Sequence, residues 1–254
     1  MINFSNISRS SFIGALLRKL LSCLPKGFIM PVLQGPMKGM RWIVGSQTHG
    51  MWLGSYEIDK QLAIKNHLKP GQVFYDVGAN VGYYSLLASK YVEASGSVVA
   101  FEPLPQNLEY LSSHARLNKL SNLTIIPMAL SDHSGKDKFS YKEDASSCHI
   151  TPEGNIEVSV TTLDKLLKEE PILLPNIIKV DIEGAEIDFL KGAIDTLIVH
   201  RPLIFMAIHS PQLFVLLFKT IAEYKLPYTI RNLNGIVVSD YEYLDEVILM
   251  PLKK

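Results

Sequence analysis

Two glycines and two carboxylates stand at spacings that could cradle a nucleoside-like ligand. In the segment 73–85 (VFYDVGANVGYYS), Gly78 and Gly82 fall where a buried strand would turn into a helix, with Asn80 between them. Glycine there lets the backbone turn tightly and lets a ligand approach without a Cβ in the way. The spacing is GxxxG rather than the GxGxxG that seats a pyrophosphate in dinucleotide folds. Asp76 precedes the loop at the carboxyl end of the strand, where it would repel a pyrophosphate and attract a cationic amino group. Glu102 ends the next strand (97–102, SVVAFE), 20 residues after Gly82. Dinucleotide folds keep there the acid that accepts hydrogen bonds from the ribose hydroxyls. The blander alternatives are a turn-capping role for Asp76 and a helix-capping role for Glu102 ahead of Pro103.

A second group of residues could handle a proton. Asp181 ends a later strand in the segment 179–186 (KVDIEGAE), with Glu183 just beyond, and His209 ends the strand after that in 205–209 (FMAIH). Carboxylates and imidazole at adjacent strand ends would project into one crevice and serve as base towards an acceptor hydroxyl. A purely structural histidine is the competing account. The same three residues are acceptable ligands for a hard divalent ion, but no dedicated ligand spacing marks them, and no metal is expected. Glu186 and Lys191 on the following helix read as solvated, as do Arg116 and Lys119.

The elements that must carry these residues alternate regularly. Strands are expected at 73–77, 97–101, 123–128, 177–182 and 203–208, and helices at 82–91, 105–118, 163–169, 185–193 and 213–224. Thr161 or Thr162 would cap the helix at 163. Such alternation implies a mostly parallel sheet with helices on both faces. Two last strands, 228–232 and 246–250, lie too close in sequence for a crossover helix, so the final pair is expected to be antiparallel. Ahead of this core come a strand at 40–44 and a helix at 56–68 that stops at Pro70-Gly71. Residues 131–160 are polar and are expected to be hairpin and loop.

Composition narrows the classes. A chain of 254 residues with 47% hydrophobic residues can bury one sizeable core. Net charge is zero but unevenly spread: residues 1–56 hold Arg9, Arg18, Lys19, Lys26, Lys38 and Arg41 with no acid, a net +6 that leaves −6 for the rest. The expected division is a basic N-terminal helix and substrate-side extension over 1–56, followed by a ligand-binding domain over 57–254. Residues 10–24 read as an amphipathic helix that packs on the body of the protein, or alternatively lies on an anionic membrane surface. No apolar run reaches the roughly 18 residues of a membrane span. Cys23 and Cys148 are far apart without metal-ligand spacing, which fits a reducing cytoplasm. No interleaved basic and aromatic pattern points to nucleic acid.

Taken together, the segments GSYE (54–57), FYDVGANVG (74–82), AFEP (100–103) with Asn107, ALSD (129–132), VTTLD (160–164) and IKVDIEGAE (178–186) resemble the FkbM-type S-adenosylmethionine (SAM) dependent methyltransferases. The resemblance implies the class I methyltransferase fold: a Rossmann-like seven-stranded, mostly parallel sheet with the last strand antiparallel and helices on both faces. It implies SAM as methyl donor, with Asp76, Gly78, Asn80 and Gly82 around the methionine part, Glu102 on the ribose, and Ser131 and Asp132 bordering the adenine. The implied reaction is O-methylation of a hydroxyl on a sugar, glycolipid or secondary metabolite. Methylation of nitrogen or of a macromolecule is the alternative; an NAD-dependent oxidoreductase or a non-catalytic SAM-binding protein is more remote. FkbM relatives often carry an acid two residues before the histidine, where this chain has Ala207.

Overall fold

The computed structural model describes residues 19, 21, 23–140, 149, 150, 156–239 and 242–253. Most of the amphipathic segment 10–24, together with Cys148, lies outside the described residues. The chain opens with β1 (Ile29–Pro31) and β2 (Arg41–Ile43), then α1 (His49–Leu53) and α2 (Ile58–His67). Next come β3 (Val73–Val77), α3 (Tyr83–Val92), β4 (Ser97–Phe101), α4 (Pro105–Leu117) and β5 (Leu123–Ile126). Four shorter strands follow, β6 (Ala129–Leu130), β7 (Gly135–Ser140), β8 (His149–Ile150) and β9 (Ile156–Thr161). The chain continues through α5 (Leu163–Glu169), β10 (Ile177–Val180), α6 (Glu186–Lys191), α7 (Ile194–Val199) and β11 (Leu203–Ala207), and ends with α8 (Pro211–Glu223), β12 (Tyr228–Arg231) and β13 (Glu246–Pro251).

Seven strands form the main sheet in the order β12-β13-β11-β10-β3-β4-β5. Only β13 is reversed, pairing antiparallel with both β11 and β12. The reason is the one expected: the chain between β12 and β13 has no crossover helix to bring it back to the same end. Both faces of the sheet are buried. Tyr75 and Val77 join one apolar cluster with Leu163 and Phe189 from the helices, while Phe74 joins another with Ile64 and Leu86. Fully burying a side chain such as Phe74, which has no exposure, contributes about 1.5–3 kcal/mol. The second cluster also takes Val32, Met37, Trp42 and Val44, so the extension ahead of α2 shares the core of the domain that follows.

The strands leave β3 in two directions, towards β4 and β5 and then towards β10 and β11. Their carboxyl ends beside β3 form the switch point where open α/β sheets bind ligands. Register decides which residues meet there. Val77 pairs with Phe101 on one side and Val180 on the other, so the next residues in each chain, Gly78, Glu102 and Asp181, emerge at one level.

One expectation gains detail and one is corrected. Within the hairpin and loop expected over 131–160, β7 and β9 pair antiparallel over five residues in a four-stranded sheet of order β6-β9-β7-β8, whose inner side packs Phe139, Val158 and Val160 on Leu104. The helix expected at 185–193 is two helices. Gly192 lies so close to the Ser131 carbonyl that a Cβ would collide with it, and the Asp164 carboxylate accepts from the Asp195 and Thr196 amides, both at 2.8 Å, to start α7. That cap comes from another helix and leaves no local trace. Thr162 does cap α5, accepting from the Lys165 amide at 3.1 Å.

Candidate active site

An open cavity of about 980 Å³ lies over the switch point. On one wall, Gly78, Ala79 and Asn80 face Glu102, Leu104, Ala129, Leu130 and Phe139. Glu102 is almost fully buried, and both its oxygens are engaged: Oε2 accepts from the Asn80 amide at 2.7 Å, and Oε1 from the Leu104 amide at 2.9 Å and Asn107 Nδ2 at 3.1 Å. Burial raises its carboxyl pKa, and these three donors oppose the rise. Leu104 is the residue from which α4 starts, so Glu102 serves the helix end and faces the cavity at once. Asn80 adopts a left-handed backbone (φ 50°), and its Oδ1 accepts from Val81 N at 2.8 Å and Gln47 Nε2 at 3.2 Å.

Four of the residues picked from the sequence lie off this wall. Asp76 is fully buried beneath the loop; its Oδ2 accepts from Ser85 Oγ at 2.6 Å, and its Oδ1 is 3.2 Å from Lys179 Nζ. Lys179 is its register partner on β10 and donates on to the Gly78 carbonyl at 2.8 Å, so the pair props the loop from below. Gly82 does not line the cavity; its left-handed backbone (φ 93°) suits glycine, and a Cβ there would press on the Leu111 side chain of α4. Gly78 likewise sits against the Asp181 carbonyl, yet it does line the cavity. Ser131 is buried and donates its amide to Thr161 at 2.9 Å, while Asp132 pairs with exposed His133 at 2.9 Å. It is their neighbours Ala129 and Leu130 that face the cavity.

The opposite wall gathers Asp181, Glu183 and His209, as their strand-end positions require. His209 Nε2 is 3.4 Å from both Asp181 Oδ1 and Glu183 Oε2, and its Nδ1 is 2.8 Å from Glu186 Oε1. The carboxylates of Asp181 and Glu186 beside it push the imidazole up to about 10, so the ligand-free ring is cationic at neutral pH. Burial alone would raise the Asp181 carboxyl, but Lys60 and Lys179 hold it well below the usual carboxylate range.

Three partners on this wall escaped the sequence reading. Glu186, taken there as solvated, is fully buried, accepts also from the Gly184 amide at 3.0 Å, and leaves Oε2 without a hydrogen-bond partner among the described residues. Lys60, 2% exposed, reaches Asp181 Oδ2 at 3.1 Å, Glu246 Oε1 at 2.5 Å and Glu57 Oε2 at 3.5 Å. Burial opposes its charge, yet these carboxylates hold its pKa well above the ordinary lysine value. Glu246 stands opposite Ala207 in the antiparallel register, so the reversed strand supplies an acid beside the position where β11 lacks one. Burial pushes its carboxyl up to about 7 against the pull of Lys60. The only sequence signal for Lys60 and Glu57 was their place in and just after the GSYE segment, and nothing marked Glu246.

Among proteins of known sequence, this chain is 30% identical to the hexuronic acid methyltransferase AglP of Haloferax volcanii over 64% of its own length and 66% of that protein. It is 28% identical to the 31-O-demethyl-FK506 methyltransferase FkbM of Streptomyces tacrolimicus, covering 50% of this chain and 62% of the relative. The chain thus spans about three-fifths to two-thirds of the length of these two curated relatives. Among solved structures, methyltransferase FkbM from Methylobacillus flagellatus superposes with a TM-score of 0.49 at 20% identity, over 70% of this chain and 43% of that one. The sheet described above is the seven-stranded class I methyltransferase arrangement that the sequence motifs implied. The model of the FkbM methyltransferase domain matches residues 76–230, from the acid under the glycine loop to the penultimate strand, and the chain belongs to that family.

Proposed function

We propose that this protein is a SAM-dependent methyltransferase acting on a hydroxyl of a sugar, glycolipid or secondary metabolite. The observation that carries the reading is a single cavity joining the Gly78–Asn80 loop and Glu102 to the wall of Asp181, Glu183 and His209. The first wall suits a nucleoside: Glu102 Oε2, which takes one donor from the loop, keeps an acceptor site for a ribose hydroxyl, and Leu104, Leu130 and Phe139 offer apolar surface for a base. The second wall is rich in carboxylates, which favour a sulfonium and an ammonium and disfavour the pyrophosphate of a dinucleotide. Asp76 and Lys179 act beneath the loop, holding its shape.

In the reaction the acceptor oxygen attacks the methyl carbon opposite sulfur. The C–O bond forms, the C–S bond breaks, and its electron pair stays on sulfur, giving the neutral thioether. The hydroxyl proton passes to a carboxylate of the cluster, Asp181 or Glu183, directly or through water, with His209 held beside them. Because the sulfonium is already a strong electrophile, alignment and exclusion of water supply most of the acceleration. Lys26, Gln47 and Thr48 reach the cavity from the N-terminal side, which supports an acceptor-facing role for the extension of residues 1–56. The names of the relatives, one a hexuronic acid methyltransferase and one acting on an O-demethylated metabolite, support oxygen on a small molecule or glycan as acceptor.

The test is calorimetry with SAM and NAD, followed by transfer of labelled methyl to glycan, metabolite, protein and RNA fractions. SAM binding with label in glycan or metabolite is expected. Label in protein or RNA alone would select the macromolecular alternative, and NAD binding without SAM binding would overturn the assignment. Among the described residues no helix is long and apolar enough to cross a membrane.

A further inference from the structure

We propose that Asp181, Glu183 and His209 bind a hard divalent cation, magnesium or manganese, on the acceptor wall of the cavity. The inference rests on the reading that this wall faces the methyl acceptor. One ligand atom from each residue lies within 4.8 Å of the other two. His209 makes one well-formed hydrogen bond, from Nδ1 to Glu186 Oε1 at 2.8 Å. Its other nitrogen stands 3.4 Å from a carboxylate oxygen on each side. Charge-assisted N–H···O bonds run at about 2.7–2.9 Å, and one Nε2 proton cannot be directed at both oxygens. Separations a little over 3 Å are instead what neighbouring ligands show around an ion bound at roughly 2.1 Å.

The surroundings match those of metal sites. A ligating histidine usually gives its second nitrogen to a carboxylate, and ligating carboxylates are themselves hydrogen-bonded. Glu186, fully buried, holds Nδ1, and Lys60 holds the far oxygen of Asp181 at 3.1 Å. The charge count points the same way. Glu57, Asp181 and Glu246 gather round the one ammonium of Lys60, and Lys179, which serves Asp76 at 3.2 Å, reaches Asp181 only at 3.9 Å. An imidazolium offsets only one of the remaining charges; a dication replacing the Nε2 proton offsets two and leaves coordination positions open to the cavity. A hydroxyl bound there would be polarised and oriented towards the methyl donor.

The full chain, stripped with a chelator and dialysed, is titrated with Mn2+ while free Mn2+ is followed by electron paramagnetic resonance, and SAM binding is measured separately by calorimetry. One Mn2+ per chain, competed by Mg2+, is expected. Affinity should fall tenfold or more in Glu183→Gln and in His209→Gln, and by about tenfold to a hundredfold in Glu186→Gln. Absence of Mn2+ binding in the parent, or binding that none of the substitutions weakens, overturns the proposal. Methyl transfer at full rate in excess chelator overturns it as well. Loss of SAM binding alongside intact Mn2+ binding would remove the methyltransferase reading and leave the cation site standing.

Discussion

The two walls of the cavity answer their charges differently. On the donor wall the acid has its partners in place: Glu102 takes three donors, one from the glycine loop and two from its own loop and helix end, and Asp76 beneath the wall is matched by Lys179 and Ser85. On the acceptor wall Lys60 and His209 stand among five carboxylates, and Lys179, committed to Asp76, reaches Asp181 only at 3.9 Å. A wall whose groups are satisfied before any ligand arrives is a preorganised cradle, suited to a cofactor that never changes. A wall with surplus negative charge gains from whatever cation enters, so its electrostatics are completed by the ligand.

That contrast is broken most sharply at Lys60. Replacing it in Lys60→Met leaves Asp181 and Glu246 partly buried without their counter-ion, and a loss of about 3–5 kcal/mol in denaturant unfolding is expected. A loss below 1 kcal/mol would mean that water already serves those carboxylates. Next in size is a pH effect on the donor side. His114 is fully buried, stacked on Trp42 at 3.9 Å, bonded through Nδ1 to the Val81 carbonyl and accepting the Ile43 amide at Nε2. Burial lowers its pKa to about 4. The unfolded chain therefore binds the extra proton first, so this stabilisation is complete above pH 6.5 and is lost as pH falls from 6.5 towards 4. The loss amounts to about 3 kcal/mol. The slope of stability against pH in that window should flatten in His114→Gln; an unchanged slope assigns it to another group.

Smaller effects separate cradle from ligand contact. Glu102→Ala should weaken SAM binding by about 1.5–3 kcal/mol, tenfold to more than a hundredfold, with the fold retained by circular dichroism. Unchanged affinity would reduce Glu102 to its helix-capping role. Asn107→Ala removes one of three donors to Glu102 and should cost about 1 kcal/mol of SAM affinity, roughly fivefold. An effect as large as that of Glu102→Ala would show that the donor wall is less redundant than its hydrogen bonds indicate.

Much of this site was legible along the chain because strand ends in a parallel sheet converge. Gly78, Asn80, Glu102, Asp181, Glu183 and His209 each stand at or just beyond a strand's carboxyl end, and all of them reach one cavity. Glu186 was misread because EIDFLK has the polar spacing of a surface helix; its burial depends on α6 packing against His209 from another strand. Lys60 looked like any lysine on an amphipathic helix. The division of α6 from α7 and the four-stranded side sheet depend on Asp164, Ser131 and Leu104, all distant in sequence from the elements they shape.

The sequence by itself determined the alternation of strands and helices, the reversed final strand, and the glycine loop with its acid on the following strand. These follow from periodicity, chain length between elements and the conformational freedom of glycine, all of which are local. Tertiary structure alone decided what each charge is for. Register set Lys179 beside Asp76 and Glu246 opposite Ala207, placing one acid buried beneath the glycine loop and bringing an unmarked strand start to the active wall. The energy of a charge depends on the distance to its counter-charge and on its exclusion from water, and both are fixed only when non-adjacent strands pair.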